Sequence, residues 1–202
     1  RRQRQMCIRD SYIVIAQNSG ETDYLRMAYA LALSLKATQS TVSNLTVCVD
    51  KKTKVPKKYL EVFDQVVEIP WNDDAEASDW KIDNKWKYYY MSPYDETVIL
   101  DTDMVFPGDV SHWWDILSEK DIWACTNVKT FRGENAVDHN MYYREYFIKN
   151  NLPNVYTAFF YFKKSDLATE FFKLVEIIFQ NWQRFFFKSV SYTHLRAHET
   201  IA

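Results

Sequence analysis

The 202-residue sequence predicts an α/β fold, a mostly parallel β-sheet flanked by helices. Three observations carry this. From residue 12 to residue 100, short apolar, β-branched runs alternate with longer helical patterns. The run Thr97-Val98-Ile99-Leu100 ends on Asp101-Thr102-Asp103, and apolar residues resume at once in Met104-Val105-Phe106. The chain holds only 3 glycines, while aromatic residues make up 17% of it, which suits one well-filled core rather than a loop-rich scaffold.

The elements follow in order. Tyr12–Ala16 reads as the first strand, and Gln17–Asp23 as a polar turn whose Thr22 or Asp23 caps a helix. That helix runs from Tyr24 to about Gln39; it is rich in alanine and leucine around most of its circumference and is expected to be well buried, with Tyr24, Ala28, Leu31 and Leu35 on one face. Leu45–Val49 is a second strand ending at Asp50, residues 55–63 a short helical piece, and Gln65–Ile69 a third strand. After a polar loop over 71–76, a helix is expected from about Lys81 to Met91, then the strand that ends at Asp101. This order indicates parallel strands joined by right-handed crossovers, with ligands bound beyond the carboxyl ends of the strands, where Gln17, Asn18, Asp50, Asp101 and Asp103 fall. Residues 109–117 form a short helix with Trp113 and Trp114, 121–128 a strand, 129–154 an irregular segment, and 156–163 a strand. Ser165 caps a last helix to about Phe186, in which Leu167, Phe171, Leu174, Ile178 and Trp182 form a stripe expected to face the core, with a face for the missing C-terminus or for a partner as the alternative.

Both ends read as foreign. Residues 1–11 and 189–202 back-translate onto the two adapters of a transposase-based sequencing library, so the expected domain is 12–188, one unit of 177 residues cut at both ends. The N-terminal stretch carries four arginines against Asp10. Without its +3 the chain's net charge falls from −2 to −5, which argues against a nucleic-acid partner. No run approaches the ~20 apolar residues of a membrane span. Cys48 and Cys125 sit singly in apolar runs as core residues, with no disulfide or zinc spacing; this fits a reducing compartment, and the expected location is cytoplasmic.

Asp101 and Asp103 are two apart on an extended chain, so they point the same way and Thr102 points opposite. Two carboxylates aimed together are costly to bury unpaired, and a hard divalent cation is their natural partner; the plainer alternative is the start of a polar turn. The block Tyr24-Leu-Arg-Met-Ala-Tyr-Ala-Leu-Ala-Leu-Ser-Leu-Lys36, and the run from Lys85 through Asp101-Thr102-Asp103 to Asp109 and its Trp-bearing helix, resemble the GT-A glycosyltransferases. The similarity is greatest to the glycogenin/galactinol-synthase type, glycosyltransferase family eight, and covers nearly all of residues 12–182.

The resemblance implies a GT-A (nucleotide-diphospho-sugar transferase) fold with a Rossmann-like sheet, and a metal-dependent transfer of sugar from a nucleotide-sugar, expected to be UDP-linked, to a glycan, lipid or protein acceptor. Asp101 and Asp103 would hold Mn2+ or Mg2+ against the donor diphosphate, with Thr102 beside it. Tyr24 would stack on the base, or is a core tyrosine opening a helix; Gln17 and Asn18 would hydrogen-bond the base. Lys85 would reach the donor phosphates, or is a snorkelling surface lysine; beside Ile82, Trp86 and Tyr89 it is expected to point along the sheet toward the strand ends. The pattern departs from the family at Tyr156-Thr157-Ala158-Phe159, where Asn-Ser/Ala-Gly is usual, and the family's Gly-Asp-Gln segment and late metal-binding histidine have no counterpart. His112 reads as structural, while His139, Arg132 and Glu134 stay unassigned in the irregular segment, His139 with the acceptor as one option; no catalytic base or nucleophile is assigned.

Three other readings compete. In a HAD-type phosphatase Asp101 would be the phosphorylated nucleophile and Asp103 the acid/base. A sugar nucleotidylyltransferase would need a glycine-rich loop where Gln17–Asp23 has one glycine. A non-catalytic carbohydrate-binding module would draw on Trp71, Trp80, Trp86, Trp113 and Trp114 and would need no metal.

Overall fold

The computed structural model describes residues 11–41, 44–77, 81–126, 128–130, 132–135, 149–153, 155–182 and 184. His139 and Trp80 lie outside them, as do residues 1–10 and 189–202. The order is β1 (Ser11–Ile15), α1 (Tyr24–Thr38), β2 (Asn44–Val49), α2 (Lys57–Leu60), β3 (Gln65–Glu68), a 3₁₀ turn (Lys85–Lys87) running into α3 (Tyr88–Met91), β4 (Glu96–Leu100), α4 (Trp113–Leu117), β5 (Ile122–Thr126), β6 (Val155–Lys163) and α5 (Asp166–Gln180). Ser11, which the sequence reading sets with the foreign N-terminal stretch, is the first residue of β1; it is buried and lies opposite Asn44 of β2.

The six strands form one sheet in the order β3-β2-β1-β4-β6-β5. β3, β2, β1 and β4 are parallel, while β6 pairs antiparallel with both β4 and β5. Five strands therefore point one way and β6 runs against them. Strand alternation splits the core into two layers. Tyr12, Val14, Val98 and Leu100 face α1 and α4, where they meet Leu31, Leu35, Trp114 and Leu117. Ile13, Ile15 and Ile99 face the other way, onto Tyr88, Met91, Phe160 and Phe172.

Three expectations are corrected. α1 is buried on one face only: Leu25, Ala28, Leu31, Ala32 and Leu35 are inside, while Met27 and Leu33 are exposed. The helix expected over 81–91 begins at Lys85, because Lys81 has φ 52°, a left-handed conformation that helical backbone excludes. The apolar stripe of α5 is rotated: Ala168 and Phe172 are buried, whereas Leu167, Leu174, Ile178 and Trp182 are exposed. Phe171 is the part of that stripe that packs, stacked on Phe160 with ring centroids 5.7 Å apart. α5 is apolar on more than one side, so its spacing admits two stripes. The choice is made by Tyr89, which stacks on Phe172 at 4.8 Å and hydrogen-bonds Thr169 Oγ1 at 2.7 Å.

Candidate active site

The strand order reverses between β1 and β4: the chain moves outward from β1 through β2 to β3, then returns to place β4 on the other side of β1. Such a switch point opens a crevice at the carboxyl ends of the strands. Here it is a cleft of about 840 Å³ that includes Gln17, Tyr24, Lys85 and the run Asp101-Thr102-Asp103.

Each residue is positioned by its element. Asp101 leaves β4, and its N–H donates to Ala158 O of β6 at 3.2 Å. Ala158, in the segment where the sequence departs from the Asn-Ser/Ala-Gly pattern, is thus hydrogen-bonded to the first of the two aspartates. β4 stops at Leu100 and Thr102-Asp103 form a turn, the plainer of the two sequence readings; Thr102 is buried, Asp101 half-buried and Asp103 exposed. Lys85, on the 3₁₀ turn, extends along the sheet to the strand ends, and its Nζ lies 2.6 Å from Asp101 Oδ1. Asp103 has neither an ion pair nor a hydrogen bond among the described residues. Beneath them Tyr88 is buried, and its hydroxyl accepts the Ile15 N–H at 3.0 Å. Burial, then the nearby Asp101 carboxylate, hold that hydroxyl well above its ordinary pKa, so it stays protonated. Tyr24 opens α1 and lies half-buried on the cleft wall.

Gln17 and Asn18 have other occupations. Gln17 is buried; its Nε2 donates to Asp73 Oδ2 at 2.5 Å and its Oε1 accepts from Asn84 Nδ2 at 3.0 Å. Asn18 Oδ1 accepts the Leu25 N–H at 2.9 Å, and its Nδ2 donates to Asp23 Oδ1 at 3.2 Å, so it helps Asp23 close the start of α1. Both amides are held by the protein, and Gln17 lines the cleft as part of a support. Asp50, also at a strand end, accepts the Lys52 and Thr53 N–H groups in its own turn.

The support behind the cleft is a polar network that the sequence reading missed. Asn84, fully buried, joins Gln17 to Asp73 Oδ1 at 2.7 Å, and its Oδ1 accepts from Lys87 Nζ at 2.7 Å. Lys87, 0% exposed, also donates to Asn72 O and lies 3.1 Å from Asp74 Oδ2, binding the 71–76 loop to the 3₁₀ turn. Burial alone would raise the Asp73 carboxyl, but hydrogen bonds from Gln17, Asn84 and the Ala75 N–H, with Lys81 nearby, bring it below its ordinary value. The available signal was the spacing Asn84-Lys87-Tyr88-Met91, which places two polar residues on the buried face of a helical turn. His112 and Arg132 with Glu134 are exposed, His112 edge-on to Trp113.

No group of three His, Cys, Asp or Glu side chains among the described residues is arranged to hold a metal. Two carboxylates fit the manner in which Mg2+, with Mn2+ like it, binds at phosphate-transferring sites, one or two protein carboxylates being completed by substrate oxygens and water. No helix among the described residues is long and apolar enough to cross a membrane.

No family model matches the sequence, and no curated protein does. Solved structures do match. The galactosyltransferase LgtC, in complex with donor and acceptor sugar analogues, is 13% identical with a TM-score of 0.52, over 76% of this chain and 57% of that one. The glycosyltransferase GlyE of Streptococcus pneumoniae is 9% identical with a TM-score of 0.52, over 84% of this chain and 38% of that one. Mouse xyloside xylosyltransferase 1 is 11% identical with a TM-score of 0.51, over 86% of this chain and 75% of that one. The fold is that of the GT-A glycosyltransferases. The chain spans little more than half the length of the LgtC structure.

Proposed function

We propose that this chain is the nucleotide-binding part of a metal-dependent glycosyltransferase that takes a sugar from a UDP-sugar. The observation that carries the reading is the Lys85–Asp101 pair, with Asp103 beside it, at the mouth of a cleft at the sheet's switch point. A glycosyl transfer expels a nucleoside diphosphate, so the site must accept growing negative charge. Lys85 supplies one fixed positive charge there. Asp101 and Asp103 would hold Mn2+ or Mg2+, which when bound acts as a Lewis acid toward the diphosphate. With Asp103 exposed and Lys85 the one side chain among the described residues that holds the Asp101 carboxylate, both carboxylates are accessible from the cleft. Lys85 would turn its amine from Asp101 to a donor phosphate oxygen, and Asp101 with Asp103 would then be the residues to hold the cation. Tyr24 offers its ring to the base from the start of α1, while Gln17 acts through Asp73 and Asn84 to keep the wall in place. The acceptor is a glycan, lipid or protein.

The test is UDP release from a panel of UDP-sugars in the presence of Mn2+. The expected result is release from at least one donor, reduced to background by Asp101→Asn and by Asp103→Asn in variants with unchanged circular dichroism. Release that both variants retain would overturn the assignment.

A further inference from the structure

A second cleft, of about 730 Å³, lies on the other side of Ile82 from the first, and Ile82 borders both. It is built by the 71–74 loop, the start of the 3₁₀ turn and the C-terminal end of α5. Trp71 is 60% exposed and parallel to Trp86, with ring centroids 5.6 Å apart and planes within 5°. Trp86 is fixed in turn, since its Nε1 donates to Asp74 Oδ2 at 2.9 Å and Tyr90 packs edge-on against both indoles. Trp71 has φ 63°, a left-handed conformation that costs a bulky side chain on the order of 1–3 kcal/mol and marks functional positions more often than others. The buried Lys87 holds that loop by Asn72 O and Asp74. A strained backbone thus keeps a large flat ring facing solvent.

We propose that this cleft is a saccharide-binding site in which a sugar ring stacks on Trp71. The axial C–H groups of a pyranose carry partial positive charge and suit the negative face of an indole. The polar groups in reach suit hydroxyls: the Asp83 carboxylate and the Asn72 side-chain amide have no partner among the described residues, while Asp74 and Glu176 are engaged on the protein. The one cation that the described residues bring to the lining is Lys87, whose amine is taken by Asn84, Asn72 and Asp74, so the cleft repels phosphates and other anions. A neutral polyhydroxylated ring with one apolar face is the ligand this chemistry recognises. That the bound sugar belongs to the acceptor rests on the glycosyltransferase reading; the site itself does not.

The experiment is a titration of cellohexaose, maltohexaose and xylohexaose into the full chain, followed by tryptophan fluorescence and calorimetry without nucleotide or metal. At least one should saturate. Trp71→Ala should weaken it roughly thirtyfold, the loss typical of truncating a tryptophan anchor. Trp71→Gly, which suits the left-handed backbone, removes the platform without disturbing the fold and should lose binding equally. Asp83→Asn should weaken binding less, and UDP affinity should not change in any of the three. No saturation by any of the three sugars, or saturation that Trp71→Gly leaves intact, overturns the proposal. Saccharide binding without UDP binding would sink the reading of the first cleft and leave this one standing; UDP binding without saccharide binding would do the reverse.

Discussion

Asp101 and Lys85 are 2.6 Å apart, each with little more than a quarter of its side chain exposed. A pair at that exposure adds at most about 1 kcal/mol to folding. Its worth therefore lies in the charge it places beside the cleft. Lys85→Gln should shift stability by no more than that amount. It should cost UDP binding about 1.5 kcal/mol, roughly tenfold, the loss of one hydrogen bond to a charged group, read by calorimetry. Asp73 gives a pH prediction. Its carboxyl is held below the ordinary 3.8, so its stabilisation is present above the unfolded value near 4 and is lost as pH falls through the lower folded value. In denaturant melts between pH 7 and pH 3, the deficit of Asp73→Asn relative to the parent should be full at pH 7 and shrink below about pH 4; a deficit that grows on acidification would contradict the network. At this scale the reach of Lys85 toward the strand ends was legible from its neighbours Ile82, Trp86 and Tyr89, while the directions of Asp101 and Asp103 were not, because the strand stops at Leu100 and a turn follows. The fate of Gln17 and Asn18 was not: nothing local says that Asp73 and Asn84, some 60 residues on, will occupy one amide and a helix start the other.

Among the elements, caps and strands read cleanly. Asp23 Oδ1 accepts the Arg26 N–H at 3.0 Å, and Ser165 Oγ the Ala168 N–H at 3.2 Å, both where side chains that favour caps precede helical patterns. α5 did not read cleanly, because a helix apolar on several sides leaves its rotation to its neighbours, here Tyr89 and Tyr90. The corrected rotation makes a contrast. Phe172, 4% exposed among Tyr89, Phe160 and Phe162, should cost about 3–5 kcal/mol on truncation to alanine. Leu174, 60% exposed, should tolerate serine within about 0.5 kcal/mol. Urea denaturation of both variants checks this; equal losses would restore the stripe expected from sequence. Asn84→Ala should cost about 2 kcal/mol, by leaving Gln17, Asp73 and Lys87 short of partners behind the cleft.

For the whole molecule, the alternation of strands and helices up to Asp101 sufficed to predict a parallel sheet with its site beyond the strand ends; the strand order, and with it the switch point between β1 and β4, was not written in it. The reversal of β6 was less accessible. Val155–Lys163 is apolar and aromatic whichever way it runs, and only its pairing with β4 and β5 sets its sense. That reversal matters to the site, because it brings Ala158 O to the Asp101 N–H. Two clefts share Ile82: one carries a lysine beside paired carboxylates, and the other sets tryptophan rings among Asp74, Asp83 and Glu176.

If the first cleft takes a nucleoside diphosphate through a cation on Asp101 and Asp103, as proposed, UDP should bind there only when that cation is supplied. Calorimetric titration of UDP into the chain, with and without Mn2+, tests it most directly when repeated on Asp103→Asn. Binding should depend on Mn2+, and the substitution should weaken it at least tenfold, about 1.4 kcal/mol, with folding unchanged. UDP binding that ignores both Mn2+ and Asp103, or no binding by the folded chain, would contradict it.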